Sequence, residues 1–125
     1  PHILTQQVSH GKGIGRSALG FPTVNLRIPD RVIVPAFGVY ATRVWFDVQC
    51  QAAVTNVGVR PTVADNDGRV TVEGFILDFD GALYGRQVRM EFYKRLRGER
   101  KFSSMDALAD EIRNNAEQTR AYFGG

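Results

Sequence analysis

Thr23 and Asn25 are hard oxygen donors two residues apart, and an extended strand turns both to one face. There they suit a magnesium ion and the phosphates that such an ion bridges. They close the stretch GKGIGRSALGFPTVN, residues 11–25, in which Gly11, Gly13, Gly15 and Gly20 let the backbone turn sharply and present N–H groups to an anion. A P-loop would place Lys and Ser/Thr directly behind its last glycine and open a helix. A dinucleotide loop would open a helix too, whereas here Gly20 is followed by Phe21 and the helix-breaking Pro22. If this loop is more than an ordinary turn, it binds phosphate on a β scaffold.

Glu73 is the carboxylate that stands out, either as a partnered or edge-exposed residue or as a general base. In a strand it shares a face with Thr71, Phe75, Leu77 and Phe79, and a carboxylate on an apolar face is costly unless it is paired, hydrogen-bonded or used. Glu91 is its rival, but it alternates with the apolar residues of its own strand and reads as solvated. His2 and His10 lack acidic or cysteine partners, and HExxH, GxSxG and paired cysteines do not occur. What remains is positioning, a metal ion and one base, which is the equipment of a phosphoryl transfer to an alcohol.

The elements that must hold these residues are mostly strands. Residues 39–48 and 51–57 read as a hairpin, 70–79 as a long strand, and 86–93 as a strand with Val88, Met90 and Phe92 on one face. Strands at such spacing make an antiparallel barrel or sandwich. Only the C-terminus is helical, with Met105, Leu108, Ile112, Ala116 and Thr119 as its apolar stripe, Ser103 or Ser104 as cap, and Asp106 and Asp110 near the favourable dipole end. Its polar residues show no ligand-like spacing, so it reads as structural.

The bulk properties set limits. A chain of 125 residues, 43% hydrophobic and 23% charged, builds one domain around one core. No apolar run reaches membrane-span length and the N-terminus lacks signal-peptide order, so a cytoplasmic protein without a membrane partner is expected. Cys50, the single cysteine, reads as a small strand residue. The net charge of +3 is modest, but Lys94, Arg95, Arg97, Arg100 and Lys101 crowd together as a solvated face or a rim for polyphosphate. A nucleic-acid partner is not expected, because no aromatic residues interleave with the cations.

With these residues in place the chain resembles the riboflavin kinase family, found alone or as the C-terminal half of bacterial bifunctional FAD-synthesising proteins. LGFPTVN at 19–25 is similar to the family's LGFPTAN. GVY at 38–40, TNVGVRPT at 55–62, VE at 72–73 with LDF at 77–79, LYG at 83–85, LRGERKF at 96–102 and the last helix follow in order. The resemblance implies a six-stranded antiparallel Greek-key barrel with one C-terminal helix, and ATP, riboflavin and magnesium as its ligands, with FMN and ADP as products. By position, Glu73 matches the base that deprotonates the ribityl 5′-hydroxyl, and Thr23 and Asn25 match the magnesium and phosphate residues. Gly13, Gly15, Gly20 and Pro22 match the nucleotide side, and Arg97 matches a loop closing over the flavin side.

Several positions depart from the family pattern. Val24 stands for the alanine of PTAN, Ile14 for an arginine of the glycine loop, Gly74 and Phe75 for a small or polar residue and a histidine, and Asn115 for an aspartate. The expectation is a single kinase domain over residues 1–125, excised from a longer protein whose upstream half is an FAD synthetase. The alternative is a flavin- or nucleotide-binding module with impaired catalysis.

Overall fold

The computed structural model describes residues 2–8, 21–29, 31–59, 70–79, 83 and 85–124. Six strands are formed: β1 (His2–Gln7), β2 (Thr23–Arg27), β3 (Gly38–Phe46), β4 (Gln49–Val59), β5 (Val70–Ile76) and β6 (Gln87–Arg97). One helix, α1 (Met105–Gly124), follows them. All ladders are antiparallel and the spatial order is β1-β6-β3-β4-β5-β2. The strands β3, β4 and β5 run as a meander, and β6 returns beside β3, which is the Greek-key order.

The sheet curls on itself. Leu4 from β1 and Val24 and Leu26 from β2, at opposite edges, share one buried cluster with Val44, Val57, Val72, Ile76, Val88 and Met90. Period-two alternation supplies this inner face, since Val24 and Leu26 point in while Thr23 and Asn25 point out. Among the described residues no ladder joins β1 to β2, so the expected barrel is realised as a curled half-barrel closed by packing. Two irregularities in the β3–β6 register, between Val39 and Tyr40 and between Ala41 and Thr42, add the local bend and twist that curling requires. Inside the curl Thr42 and Thr55 share a 2.7 Å hydrogen bond, which keeps both buried hydroxyls satisfied.

A second, smaller core lies on the outer face. There Ile112 and Ala116 of α1 pack on Val39, Val54, Phe75 and Leu77. The helix begins where Ser104 Oγ accepts the Ala107 N–H at 3.1 Å, a cap contact that fixes where the helix leaves the preceding loop. At its far end Phe123 meets Tyr93 edge-on at 5.2 Å, and the Arg43 guanidinium lies over the Phe123 ring at 4.6 Å.

Some sequence expectations need correction here. The buried stripe of α1 is Ala109, Ile112, Asn115, Ala116 and Thr119, while Met105 is exposed because it precedes the first turn that meets the sheet. Phe79 does not share the face of Glu73: Asp78 takes a left-handed φ of 56°, ends the alternation, and sends Phe79 to Phe46 on the inner core. The strand β1 adds to the elements expected from the sequence, and β6 runs beyond the expected 86–93 to Arg97.

Candidate active site

The ladders align one row of side chains across the outer face. Asn25 pairs with Glu73, Glu73 with Asn56, Asn56 with Val39, and Val39 with Arg97. Residues 25, 73, 56, 39 and 97, scattered along the sequence, thus become successive neighbours about 5 Å apart. The next row begins with Thr23 opposite Phe75. Thr23 and Asn25 share a face, as their spacing in an extended strand implies, and the β2–β5 ladder brings Glu73 beside them; all three are partly exposed.

A cavity of about 540 Å³ opens over this row. Asn56, Glu73, Arg97 and Ser104 supply its polar wall, with Glu99, Arg100 and Lys101 beside them. Val39, Phe75, Phe102, Leu108 and Ile112 supply the apolar one. A concave space with an apolar wall facing convergent polar groups can hold a small molecule, and its size is in the usual range. Thr23 and Asn25 are not among its lining residues; they flank it on the β2 side, next to Glu73.

Arg97 is held from the helix side. Its Nε donates to Asn115 Oδ1 at 3.1 Å and lies 3.2 Å from Glu111 Oε2, and its guanidinium sits over Phe102 at 5.3 Å. Burial pushes its pKa below the ordinary value, and Glu111 opposes that shift, so the guanidinium stays charged. Arg97 is the last residue of β6 and not part of a loop, which corrects the expectation from the sequence. The helix also walls the cavity with Leu108 and Ile112, so the purely structural reading of α1 is too narrow. Asn115, which the sequence marks only as a departure from the family pattern, joins Asn56, Phe102 and Glu111 here as residues around the cavity that the sequence does not single out for the site, because Asn56 meets Glu73 only through the β4–β5 register.

Glu91 lies elsewhere and is not solvated. It is 6% exposed, and its carboxylate accepts hydrogen bonds from Trp45 Nε1 at 2.9 Å, the Tyr93 hydroxyl at 2.9 Å and Arg89 at 2.6 Å. The Trp45 N–H foremost, against desolvation, then Tyr93 and Arg89, hold its pKa below the usual carboxylate range. The outward face of β6 is roofed here by aromatic neighbours, which period-two reasoning does not register. The glycine loop with Gly13, Gly15 and Gly20, and also Ile14 and His10, lies outside the described residues. Pro22 is buried, and its carbonyl accepts the Ile76 N–H at 2.8 Å, joining the start of β2 to β5.

A family model described as flavokinase, riboflavin kinase, matches residues 1–123. The chain belongs to the riboflavin kinase family. It is 40% identical to a bifunctional riboflavin kinase/FMN adenylyltransferase of Pseudomonas fluorescens over 97% of this chain and 38% of that protein. To the Bacillus subtilis (strain 168) protein of the same description it is 33% identical, over 98% of this chain and 39% of the other. The chain thus spans about two fifths of the length of these curated relatives. Among solved structures, a riboflavin kinase from Trypanosoma brucei superimposes with a TM-score of 0.68 at 25% identity, covering 96% of this chain and 78% of that one. A Streptococcus pneumoniae structure described as a macrolide-efflux protein gives 0.80 at 36% identity, over 94% of this chain and 38% of the other. Among the described residues no helix is long and apolar enough to cross a membrane.

Proposed function

We propose that this chain transfers the terminal phosphoryl group of ATP to the ribityl 5′-hydroxyl of riboflavin, giving FMN and ADP, as its membership of the riboflavin kinase family suggests. The observation that carries the reading is the row Asn25–Glu73–Asn56–Val39–Arg97, in which Glu73, Asn56, Val39 and Arg97 line one cavity and Asn25 flanks it beside Glu73. In this reading Glu73 takes the hydroxyl proton as the alkoxide oxygen bonds to the γ-phosphorus. The bond from that phosphorus to its bridging oxygen breaks, and ADP leaves with the electron pair. The apolar wall of Val39, Phe75, Leu108 and Ile112 suits a flat flavin ring, and the half-buried Asn56 supplies an amide for its polar edge or chain.

Magnesium fits the donor set at this end. Thr23 and Asn25 offer a hydroxyl and an amide carbonyl, both hard oxygens, next to the Glu73 carboxylate. Among the described residues no group of three His, Cys, Asp or Glu forms a metal site by itself, so the ion would draw remaining ligands from phosphate oxygens and water. Bound there, it would neutralise phosphate charge. Thr23 and Asn25 are proposed as its protein ligands, with Gly13, Gly15, Gly20 and Pro22 on the nucleotide side. We further propose that an FMN adenylyltransferase domain accompanies this kinase domain, as the descriptions of its relatives suggest.

The test is direct. The protein incubated with ATP, magnesium and riboflavin is expected to form FMN, separated by chromatography. Glu73→Gln is expected to lower kcat about 100-fold or more, the usual worth of a general base, while riboflavin binding measured by fluorescence quenching stays within about threefold. Full turnover in Glu73→Gln would remove the base assignment.

A further inference from the structure

Asn115 is a fully buried amide in a helix face otherwise made of Ala109, Ile112, Ala116 and Thr119. A buried amide is costly unless its donors and acceptor are used, and here all are. Its Oδ1 accepts from Arg97 Nε at 3.1 Å, and its Nδ2 donates to Glu111 Oε2 at 3.2 Å and to Gln118 Oε1 at 2.8 Å. The partners fix the amide's orientation, because a guanidinium only donates and a carboxylate only accepts. Glu111 in turn reaches Arg97 Nε at 3.2 Å with one oxygen and Arg100 at 3.6 Å with the other.

We propose that Asn115 is a positioning residue for the cavity, locking Arg97 and Glu111 in the one arrangement that presents Arg97 as a fixed, charged wall. This rests on the reading of the cavity as a riboflavin site. The family pattern carries an aspartate here, but beside Glu111 the position calls for a neutral, two-sided residue. An aspartate would still accept from Arg97, but it would set a second carboxylate against Glu111 and lose both donated bonds. Glu111 faces the guanidiniums of both Arg97 and Arg100, and the neutral amide adds no second negative charge to that cluster. Arg97 is three ladder steps from Glu73, about 14 Å along the row, so its alignment bears on holding the far end of the ligand and not on proton transfer.

The experiment compares the wild type, Asn115→Asp, Glu111→Gln and the exchanged double variant Asn115→Asp with Glu111→Gln. Riboflavin affinity is read by flavin fluorescence quenching without ATP, kcat and KM by FMN formation, and folding by thermal melting. Each single variant is expected to raise Kd and the KM for riboflavin about tenfold, the usual scale of a charge-assisted hydrogen bond, with kcat falling less than about threefold. In the double variant an aspartate accepts from Arg97 and a glutamine donates to that aspartate, so affinity is expected to return to within about threefold of wild type. Unchanged Kd in the folded single variants, or no recovery in the double variant, would overturn the inference. A wild-type protein that neither quenches riboflavin fluorescence nor forms FMN would instead remove the reading of the site, and the inference with it.

Discussion

Replacing Glu91 by alanine tests whether a carboxylate far from the cavity holds the sheet together. The side chain receives three hydrogen bonds, from Trp45, Tyr93 and Arg89, and the residue is 6% exposed. The Arg89 bond joins two charges, and a bond involving a charged group contributes about 1.5–3 kcal/mol. The Trp45 and Tyr93 donors recover part of their loss from water, since Trp45 is itself 38% exposed. A net cost of about 3 kcal/mol is therefore expected, which in a domain of this size lowers Tm by about 10 °C. The measurement is thermal unfolding by circular dichroism, with Trp45, the single tryptophan, as a second probe.

The same contacts fix the pH dependence. They hold the folded-state pKa of Glu91 below its unfolded value, so the charged form stabilises the fold fully above about pH 4.3, the unfolded carboxylate value. That contribution fades as pH falls through the folded pKa. The Tm gap between wild type and Glu91→Ala is expected to be widest near neutral pH and to shrink in acid. A gap under about 2 °C at pH 7, or one that widens on acidification, would refute the reasoning.

Gly74→Ala places a Cβ 3.0 Å from Val24 Cγ2 and 3.3 Å from Thr55 Oγ1, both stiff and buried; it is expected to cost about 1–2 kcal/mol net, seen as a Tm about 4–8 °C lower. Ser104→Ala removes the bond that caps α1 and is expected to cost about 1 kcal/mol, measured by urea unfolding. Asn25→Ala is expected to raise the magnesium concentration at half-maximal rate about tenfold or more with Tm nearly unchanged, because its side chain faces outward; an unshifted magnesium curve would count against the ligand role.

How far the sequence could be read depends on what each residue's surroundings require. Thr23, Asn25 and Glu73 were legible because strand alternation alone decides their face, and the ladders keep that alternation. Alternation gives Glu91 its correct face but not its burial, which comes from Trp45 and Tyr93, neighbours set by tertiary packing. Phe79 was assigned the wrong face because a left-handed residue at Asp78 leaves no mark in hydrophobic periodicity. Asn115 falls in the apolar stripe of α1, yet what makes it acceptable there is Arg97, eighteen residues earlier on another element. β1 was missed because HILTQQ alternates too weakly to signal a strand; only the pairing of His2–Gln7 with β6 makes it one.

The site's geometry is bound to sheet register more tightly than to any loop. Its row crosses five strands, and the Greek-key order makes residues 25, 73, 56, 39 and 97 neighbours only while four ladders hold their alignment. A slip of one residue along β5 would turn Glu73 into the inner cluster, into the place where Gly74 now fits between Val24, Met90 and Thr55. No side chain fits there without displacing its neighbours, and a carboxylate would also be stripped of water. The glycine beside the acid thus acts against the misregistered sheet, and the packed inner face keeps the carboxylate turned outward. Stability and the proposed chemistry share this device: the contacts that exclude Glu73 from the core are those that aim it at the cavity.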